Sequence, residues 1–223
     1  MISWFTKKIY PDYWYDYIKH FKGQEEINLQ NTRFVIFDTE TTGLNIQSDR
    51  ILSIGAISIT DNVMYVADSL DVYVKQDKFN SDSVEIHGLL KEGNLKKLNE
   101  EEAIIQFLKY IKGSVLVAHH AAFDLAMINN ALQRMQLPKL INKSLDTGLL
   151  IKKTKFHQQN KEHYSLDSLC EIFKIKMHDR HTAAGDAYIT GIIFLKILSA
   201  LKKINPGLKL NHLIFNSNRR GLL

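Results

Sequence analysis

Two acidic residues, Asp38 and Glu40, follow four apolar residues at positions 34–37 that are typical of a buried strand. In an extended chain the side chains alternate between two faces, so Asp38 and Glu40 point the same way. Neighbouring carboxylates repel each other unless a cation lies between them, so this spacing indicates a site for a hard metal ion. The alternative is that the strand ends at Phe37 and the acids begin a solvated turn, which Gly43 would favour.

Two more acidic residues lie in similar settings further along the chain. Asp124 follows the apolar run 115–118 and begins a segment whose apolar residues have helical spacing. Asp186 lies near the start of another predicted helix, for which Thr182 is a candidate N-cap. A helix that begins near Thr182 would carry Asp186 in its second turn. The acidic segments therefore share one position in the predicted architecture, at the end of an apolar strand or the start of a helix.

Three motifs of the chain resemble those of the DEDD superfamily of 3′ to 5′ exonucleases, in the branch related to the proofreading epsilon subunit of bacterial DNA polymerase III. The motifs are residues 37–44, residues 119–124, and His181 with Asp186. Weaker resemblances lie at residues 86–89, 145–147 and 165–170. The similarity covers about residues 33–200, and both ends of the chain lie outside it.

The resemblance implies a role for each of five residues. Asp38, Glu40 and Asp186 match the direct ligands of two divalent cations, and Asp124 matches the residue that holds the second cation partly through water. Two such cations clamp the attacking and leaving oxygens of a phosphodiester displacement. Oxygen ligands favour Mg²⁺ or Mn²⁺ over zinc. His181 matches the general base that takes a proton from the attacking water.

His181 also indicates the branch of the superfamily. A second branch has tyrosine four residues before the last aspartate, and that position here is Thr182. We expect the loop of residues 177–181 to become ordered when metal and substrate are bound. Taken without the other motifs, His181 would be read as an ordinary surface histidine.

The resemblance also implies a set of substrate-binding residues beside the acids. Leu44 and Phe123 are apolar and could wedge or stack the terminal bases of an unpaired 3′ end. For Phe123, a place in the helix core remains an equal alternative. The whole predicted substrate-binding set is Thr41, Gly43, Leu44, His87 and Phe123.

Two positions depart from the family pattern. His120 stands where the family usually has asparagine, and Ser53 stands where many relatives carry glutamate. Neither residue is one of the site acids. We therefore expect these two differences to alter the tuning of the site or its handling of substrate more than to abolish activity.

The elements that must position these residues follow from hydrophobic patterning. Strands are predicted at residues 34–37, 51–59 and 63–74, which form an antiparallel meander. Asn99 and Glu102 form a capping box that starts a helix over residues 100–112. Later helices alternate with short strands. The fold class is therefore predicted to be α/β and ribonuclease H-like, with a mixed central sheet and a three-strand antiparallel meander flanked by helices.

Length and composition fit one globular domain with extensions. The chain has 223 residues, of which 45% are hydrophobic. We divide it into an aromatic-rich N-terminal extension (1–30), an exonuclease domain (31–203) and a C-terminal tail (204–223). Cys170 is the single cysteine, which fits a reducing cytoplasm. No cleavable signal is evident, and the apolar stretch 192–201 is too short to span a bilayer.

Residues 1–30 are unusually aromatic. Trp14, Ile18 and Phe21 follow Pro11 with the spacing of an amphipathic helix, which favours packing on the main domain. Stacking on nucleic-acid bases is the alternative, and docking to a protein or a membrane surface has no support in the sequence.

The formal net charge of +5 includes the site acids, so the remaining surface is more basic. A polar segment with four lysines could contact phosphates, and a solvated loop is the alternative. These lysines are Lys152, Lys153, Lys155 and Lys161.

The leading hypothesis is a two-metal 3′ to 5′ exonuclease that acts on single-stranded or frayed DNA ends and releases nucleoside 5′-monophosphates. A DNA polymerase is the protein partner that the resemblance implies. RNA-trimming relatives share the same acids, so an RNA substrate stays open. A noncatalytic nucleic-acid- or polymerase-binding subunit is the alternative from another class.

Overall fold

The computed structural model describes residues 8–22, 28–77 and 96–214. Six strands and seven α-helices lie within these ranges. The strands are β1 Phe34–Thr41, β2 Ile51–Thr60, β3 Val63–Val74, β4 Lys97–Leu98, β5 Val115–Ala118 and β6 Ser144–Asp146. The helices are α1 Asp12–Lys19, α2 Glu100–Tyr110, α3 Ala121–Arg134, α4 Thr147–Leu150, α5 Leu166–Phe173, α6 Ala183–Ile204 and α7 Leu210–Leu213.

The described strands form one mixed sheet in the order β4-β3-β2-β1-β5-β6. β1, β2 and β3 are antiparallel neighbours, whereas β5 runs parallel to β1 and β6 runs parallel to β5. The predicted meander and the mixed α/β sheet are therefore confirmed.

The sheet separates two hydrophobic clusters. Phe34 and Ile36 of β1 face one cluster, which includes much of α6 and α5. Val35 and Phe37 face the other, which includes α2 and α3. By this alternation, Asp38 and Glu40 continue the face of β1 that packs against α6.

β1 is longer than its apolar run. The pairing with β2 continues through Asp38 and Glu40 as far as Thr41, which lies opposite Ile51. The predicted strand end at Phe37 is wrong, and so is the alternative in which the acids begin a solvated turn. Pairing with β2 holds the backbone extended beyond the point where the side chains become polar.

Helix starts follow the predicted capping residues. Asn99 accepts a hydrogen bond from the Glu102 backbone N–H, and the Glu102 side chain accepts one from Asn99. Thr182 caps α6 by accepting from the Gly185 backbone N–H. Because α6 begins at Ala183, Asp186 lies in its first turn and not in the second as predicted.

Helix α6 contains 22 residues and, by length and composition alone, is long and apolar enough to cross a membrane. The stretch of residues 192–201, which the sequence predicts to be too short to span a bilayer, is only part of this longer helix. However, 56% of its most apolar window is buried inside the protein. Buried core helices pass the same test, so the finding is weak support for a membrane span.

Helix α1 packs against the main domain. Trp14 and Tyr17 are buried in the same cluster as α2 and α3. The Tyr17 hydroxyl donates to Asn142 Oδ1 at 2.5 Å and accepts from the Ile141 backbone N–H at 3.0 Å. At the other end of the described chain, α7 packs into the cluster that contains α6. The division into an extension, a domain and a tail stays a prediction.

Candidate active site

A glycine on β2 lets helix α6 approach the acids of β1. Gly55 lies directly opposite Asp38 in the β1–β2 pairing. A Cβ atom on Gly55 would lie only 2.2 Å from the Ala183 carbonyl carbon in the first turn of α6. Because Gly55 has no side chain, that turn lies against the strand and carries Asp186 to the acids of β1.

Asp38, Glu40 and Asp186 each contribute a carboxylate oxygen to one compact group. These oxygen atoms all lie within 4.8 Å of one another. Burial, and then the neighbouring carboxylates, raise the pKa of Asp38 well above its ordinary value. The same causes raise the pKa of Glu40 to about 7. Burial and mutual repulsion therefore disfavour the ionised forms of these acids unless a cation compensates their charge.

Asp186 has an unsatisfied carboxylate oxygen. Its side chain is buried, and Oδ1 has no hydrogen-bond partner among the described residues. Burial raises the pKa of Asp186, although the neighbouring Arg180 acts in the opposite direction. A buried carboxylate oxygen without a donor is costly unless a cation meets it. The oxygen-only donor set of Asp38, Glu40 and Asp186 therefore fits Mg²⁺ or Mn²⁺.

Asp124 reaches the site from α3. Its Oδ1 accepts hydrogen bonds from the Thr39 backbone N–H at 3.0 Å and from the Thr39 hydroxyl at 2.6 Å. Burial raises the pKa of Asp124 to about 7, while the bonds from Thr39 oppose that shift. Asp124 is therefore oriented by β1 and lies outside the compact group of three carboxylates.

The early end of β5 makes room for this contact. β5 pairs with β1 only as far as Ile36, so β1 extends beyond its neighbour. α3 begins in that space, and its first residue, Ala121, donates its backbone N–H to Asp146 Oδ2 at 3.0 Å. Asp146 also caps α4, so it fixes two helix starts beside the site.

His181 lies in the loop that precedes α6. Its side chain is exposed, and its backbone is left-handed with φ 63°. Its backbone N–H lowers the pKa of Asp186 as a hydrogen-bond donor, so the backbone of His181 lies close to Asp186.

The family of the chain follows from its sequence. A family model described as exonuclease, the RNase T family, matches residues 35–194. The chain belongs to this exonuclease family.

Curated relatives of this exonuclease include epsilon subunits and PolC-type polymerases. It is 33% identical to the DNA polymerase III subunit epsilon of Buchnera aphidicola from Acyrthosiphon pisum, over 75% of this chain and 73% of that protein. It is 30% identical to the Treponema pallidum epsilon subunit, over 82% of this chain and 84% of that protein. With the Caldanaerobacter subterraneus PolC-type polymerase the identity is 34%, and the exonuclease covers 13% of that protein. The resemblance to the epsilon-like DEDD exonucleases is confirmed.

Solved structures share the fold. E. coli exonuclease I in complex with a dT13 oligonucleotide matches 78% of this chain and 42% of that chain, with a TM-score of 0.67 and 17% identity. Exonuclease X in complex with 5′ overhanging duplex DNA matches 79% of this chain and 95% of that chain, with a TM-score of 0.59 and 23% identity. The predicted ribonuclease H-like fold is therefore confirmed.

The loop after β1 presents an apolar side chain to solvent. Leu44 is 84% exposed, which leaves it free to contact a ligand. Buried Asp49 supports the loop by accepting from the Thr42 hydroxyl and the Asn45 backbone N–H, each at 2.9 Å. A Cβ atom on Gly43 would lie 2.6 Å from Asp49 Oδ2. The absence of a side chain at Gly43 therefore lets the Asp49 carboxylate lie close to the loop.

The other predicted substrate-binding residues have different surroundings. Thr41 is buried and donates its hydroxyl to the Gly43 carbonyl at 2.7 Å. Phe123 is half-buried against the cluster that contains α2 and α3. His87 lies outside the described residues. The substrate roles of all five residues stay predictions.

The two departures from the family pattern both lie beside the site. Ser53 is buried and sits opposite Glu40 in the β1–β2 pairing. His120 is exposed at the N-cap of α3, with φ 58° and no side-chain cap bond. Its neighbour His119 contacts the Thr147 hydroxyl through Nδ1 at 2.9 Å, and burial lowers the pKa of His119 to about 4.

The predicted phosphate-binding lysines also have contacts within the protein. Lys153 donates to the His212 carbonyl at 2.7 Å. Lys155 lies over the Phe156 ring and Lys161 over the Tyr164 ring, at 5.6 and 4.8 Å from the ring centroids. Their proposed contact with phosphates stays a prediction.

Three residues near the site were missed by the sequence analysis. Thr39 orients Asp124, Gly55 admits α6, and Arg180 pairs with Asp186. Arg180 could have been noticed as the neighbour of His181, and Thr39 as the residue between the two acids of β1.

Proposed function

We propose that this protein is a two-metal 3′ to 5′ exonuclease that hydrolyses single-stranded or frayed DNA ends. The observation that carries the proposal is the group of three carboxylate oxygens within 4.8 Å, together with the unpartnered buried Oδ1 of Asp186. Bound divalent cations would polarise the phosphoryl group and make water more acidic.

The chain's own residues then have distinct roles. Asp38, Glu40 and Asp186 hold the cations by charge, and Asp124 is kept in a fixed orientation by Thr39. His181 accepts the proton of the attacking water as general base, for which its ring must come within hydrogen-bonding reach. Leu44 lies against the terminal bases and helps to keep the end unpaired. The products are nucleoside 5′-monophosphates.

DNA is the favoured polymer because curated relatives are named as DNA polymerase III subunits and exonuclease I has been solved with dT13. For the same reason we propose a DNA polymerase as protein partner and the cytoplasm as location. RNA trimming is the second candidate, because nothing about the acids distinguishes the two sugars.

Labelled oligonucleotides test the proposal. DNA and RNA of matched sequence, labelled at the 5′ end, are incubated with Mg²⁺ or Mn²⁺ and the wild-type protein, Asp38→Ala or His181→Ala. His178→Ala is the matched control, since His178 is an exposed histidine of the same loop. We expect shortening from the 3′ end that both site variants lose and the control keeps. Binding without cleavage, unchanged in the site variants, would instead support a noncatalytic binding subunit.

A further inference from the structure

Arg180 joins two helices through their acidic residues. Its Nε donates to Asp167 Oδ1 at 2.8 Å, and its Nη1 contacts Asp186 Oδ2. Asp167 lies in the first turn of α5, and Asp186 lies in the first turn of α6. We call the arrangement Asp167–Arg180–Asp186 the Arg180 bridge.

The Arg180 bridge contacts the site acids at Asp186, which is also a predicted cation ligand. Asp186 offers two oxygens, of which Oδ2 is taken by the guanidinium and Oδ1 has no described partner. The positive charge of Arg180 also lowers the pKa of both Asp38 and Glu40, so it acts on the whole group. The guanidinium is therefore an internal counter-ion of the site. A divalent cation carries twice its charge and would compete with it for Asp186.

The backbone around the bridge couples Arg180 to His181. Asp179 and His181, on either side of Arg180, are non-glycine residues in the left-handed region, with φ of 53° and 63°. Asp179 is anchored, because its carbonyl accepts from the Thr182 hydroxyl at 2.7 Å and packs directly on Gly185. Rotation at residues 180 and 181 would therefore let Arg180 move while Asp179 stays in place. Strained backbone of this kind is a frequent feature of segments that switch.

We propose that Arg180 is a positioning residue that occupies Asp186 before cations bind, and that its displacement by a cation turns His181 toward the site. This proposal rests on the proposed function, because it assumes that Asp186 is a metal ligand.

Metal binding separates this competition from simple charge effects. Arg180→Ala removes the competitor, so Mn²⁺ should bind about 5- to 100-fold more tightly, the usual size of a coupling between bound groups. Asp167→Asn removes a negative charge near the site, which by electrostatics alone would weaken cation binding. The Asp167→Asn substitution also weakens the contact that holds Arg180 in place. The proposed competition therefore predicts tighter Mn²⁺ binding in this variant. Arg180→Lys keeps the charge without the two-pronged contact, so its affinity should lie between those of wild type and Arg180→Ala.

Isothermal titration with Mn²⁺ is carried out without nucleic acid, and Lys176→Ala is the control. Lys176 is an exposed cationic residue in the segment between α5 and α6, so this change removes one positive charge near the bridge. We expect Lys176→Ala to match wild type. Weaker binding in Asp167→Asn than in wild type, as electrostatics alone predicts, would overturn the proposal, and so would equal affinity in wild type and Arg180→Ala.

The position of His181 provides a second readout. Its ring NMR signals, assigned with His181→Gln, should shift when Mg²⁺ is added to the wild type. In metal-free Arg180→Ala they should already be close to the Mg²⁺-bound position, and signals that match the metal-free wild type would contradict the coupling. If neither the wild type nor any variant binds Mn²⁺, the metal site of the proposed function fails. If the wild type binds Mn²⁺ and only the predicted differences are missing, the Arg180 bridge fails alone.

Discussion

Asp38 and Gly55 face each other across β1 and β2, and the first turn of α6 rests on the glycine side of that pair. One missing side chain therefore permits the contact between a strand acid and a helix acid. The two acids come from segments almost 150 positions apart, at residues 38 and 186. The alignment of sheet and helix at Gly55 is what makes them one site.

Gly55→Ala should damage both stability and metal binding. The added methyl group meets the backbone of α6 at 2.2 Å, and backbone cannot rotate away as a side chain can. We expect a loss of about 1–3 kcal/mol in the free energy of unfolding, as for other overpacked cores. Urea denaturation measures it, and Mn²⁺ titration reports the displacement of Asp186.

Gly207→Ala is the matched control for that change. Gly207 is exposed, and its nearest atom to an added Cβ is Asn205 Oδ1 at 3.5 Å. Stability and Mn²⁺ affinity should match wild type in this variant. Wild-type affinity in Gly55→Ala would show that α6 does not need this close approach.

Much of this site could be predicted from local sequence. The capping residues Asn99 and Thr182 and the meander depend on spacing along the chain, and the structure has them as expected. Three of the four predicted site acids lie together in one group. What could not be predicted depends on contacts between distant segments. Thr39 and Asp124 are separated by 85 positions, and the Arg180 bridge exists only because α5 and α6 begin side by side.

The length of β1 shows the same limit. A polar residue after an apolar run ordinarily marks the end of a strand, so the sequence predicts Phe37 as the last residue of β1. The strand continues because β2 supplies pairing partners as far as Ile51. The polar residue Asp38 belongs to the candidate active site and does not mark the end of β1.

Thr39→Val should weaken metal binding without unfolding the protein. Valine keeps the branched shape and loses only the hydroxyl that donates to Asp124 at 2.6 Å, so the backbone bond at 3.0 Å remains. Losing such a supporting contact typically costs about 10- to 100-fold in metal affinity. Mn²⁺ titration measures it, with Thr60→Val as a control at the far end of β2. Unchanged affinity would mean that Asp124 needs no orientation by Thr39.

The stability of the protein should depend on pH in opposite ways with and without metal. The pKa of Glu40 rises from 4.5 to about 7 on folding, so the folded state binds a proton more tightly than the unfolded state. In EDTA, the free energy of unfolding should therefore fall as pH rises from 4.5 to 7. Asp124, with its pKa of about 7, contributes in the same direction.

Excess Mg²⁺ should reverse that trend, because cations bind the ionised carboxylates and stabilise the folded state more as pH rises. Urea midpoints measured at pH 5 and pH 8 test this. Burial lowers the pKa of His119 to about 4. This residue therefore makes the free energy of unfolding rise with pH up to the ordinary pKa of histidine, which is the opposite trend. That contribution is the same with and without Mg²⁺ and cancels in the difference.

Asp38→Asn is the informative variant for the same experiment. It replaces a carboxyl group whose ionised form is disfavoured by burial and then by its neighbours, so in EDTA at pH 8 it should be more stable than wild type. It should gain little from Mg²⁺, since a ligand is lost. A variant less stable than wild type under these conditions would contradict the repulsion between the site acids.

His181→Ala should separate catalysis from binding. General-base assistance is typically worth about 10² to 10⁴ in rate, so single-turnover cleavage of labelled DNA should slow by that factor. Mn²⁺ affinity should be retained, because His181 is exposed and is not one of the three clustered ligands. His178→Ala, a change in the same loop, should cleave at the wild-type rate. If His181→Ala instead lost Mn²⁺ affinity in proportion to its rate, the residue would act on the metal site and not on the proton of water.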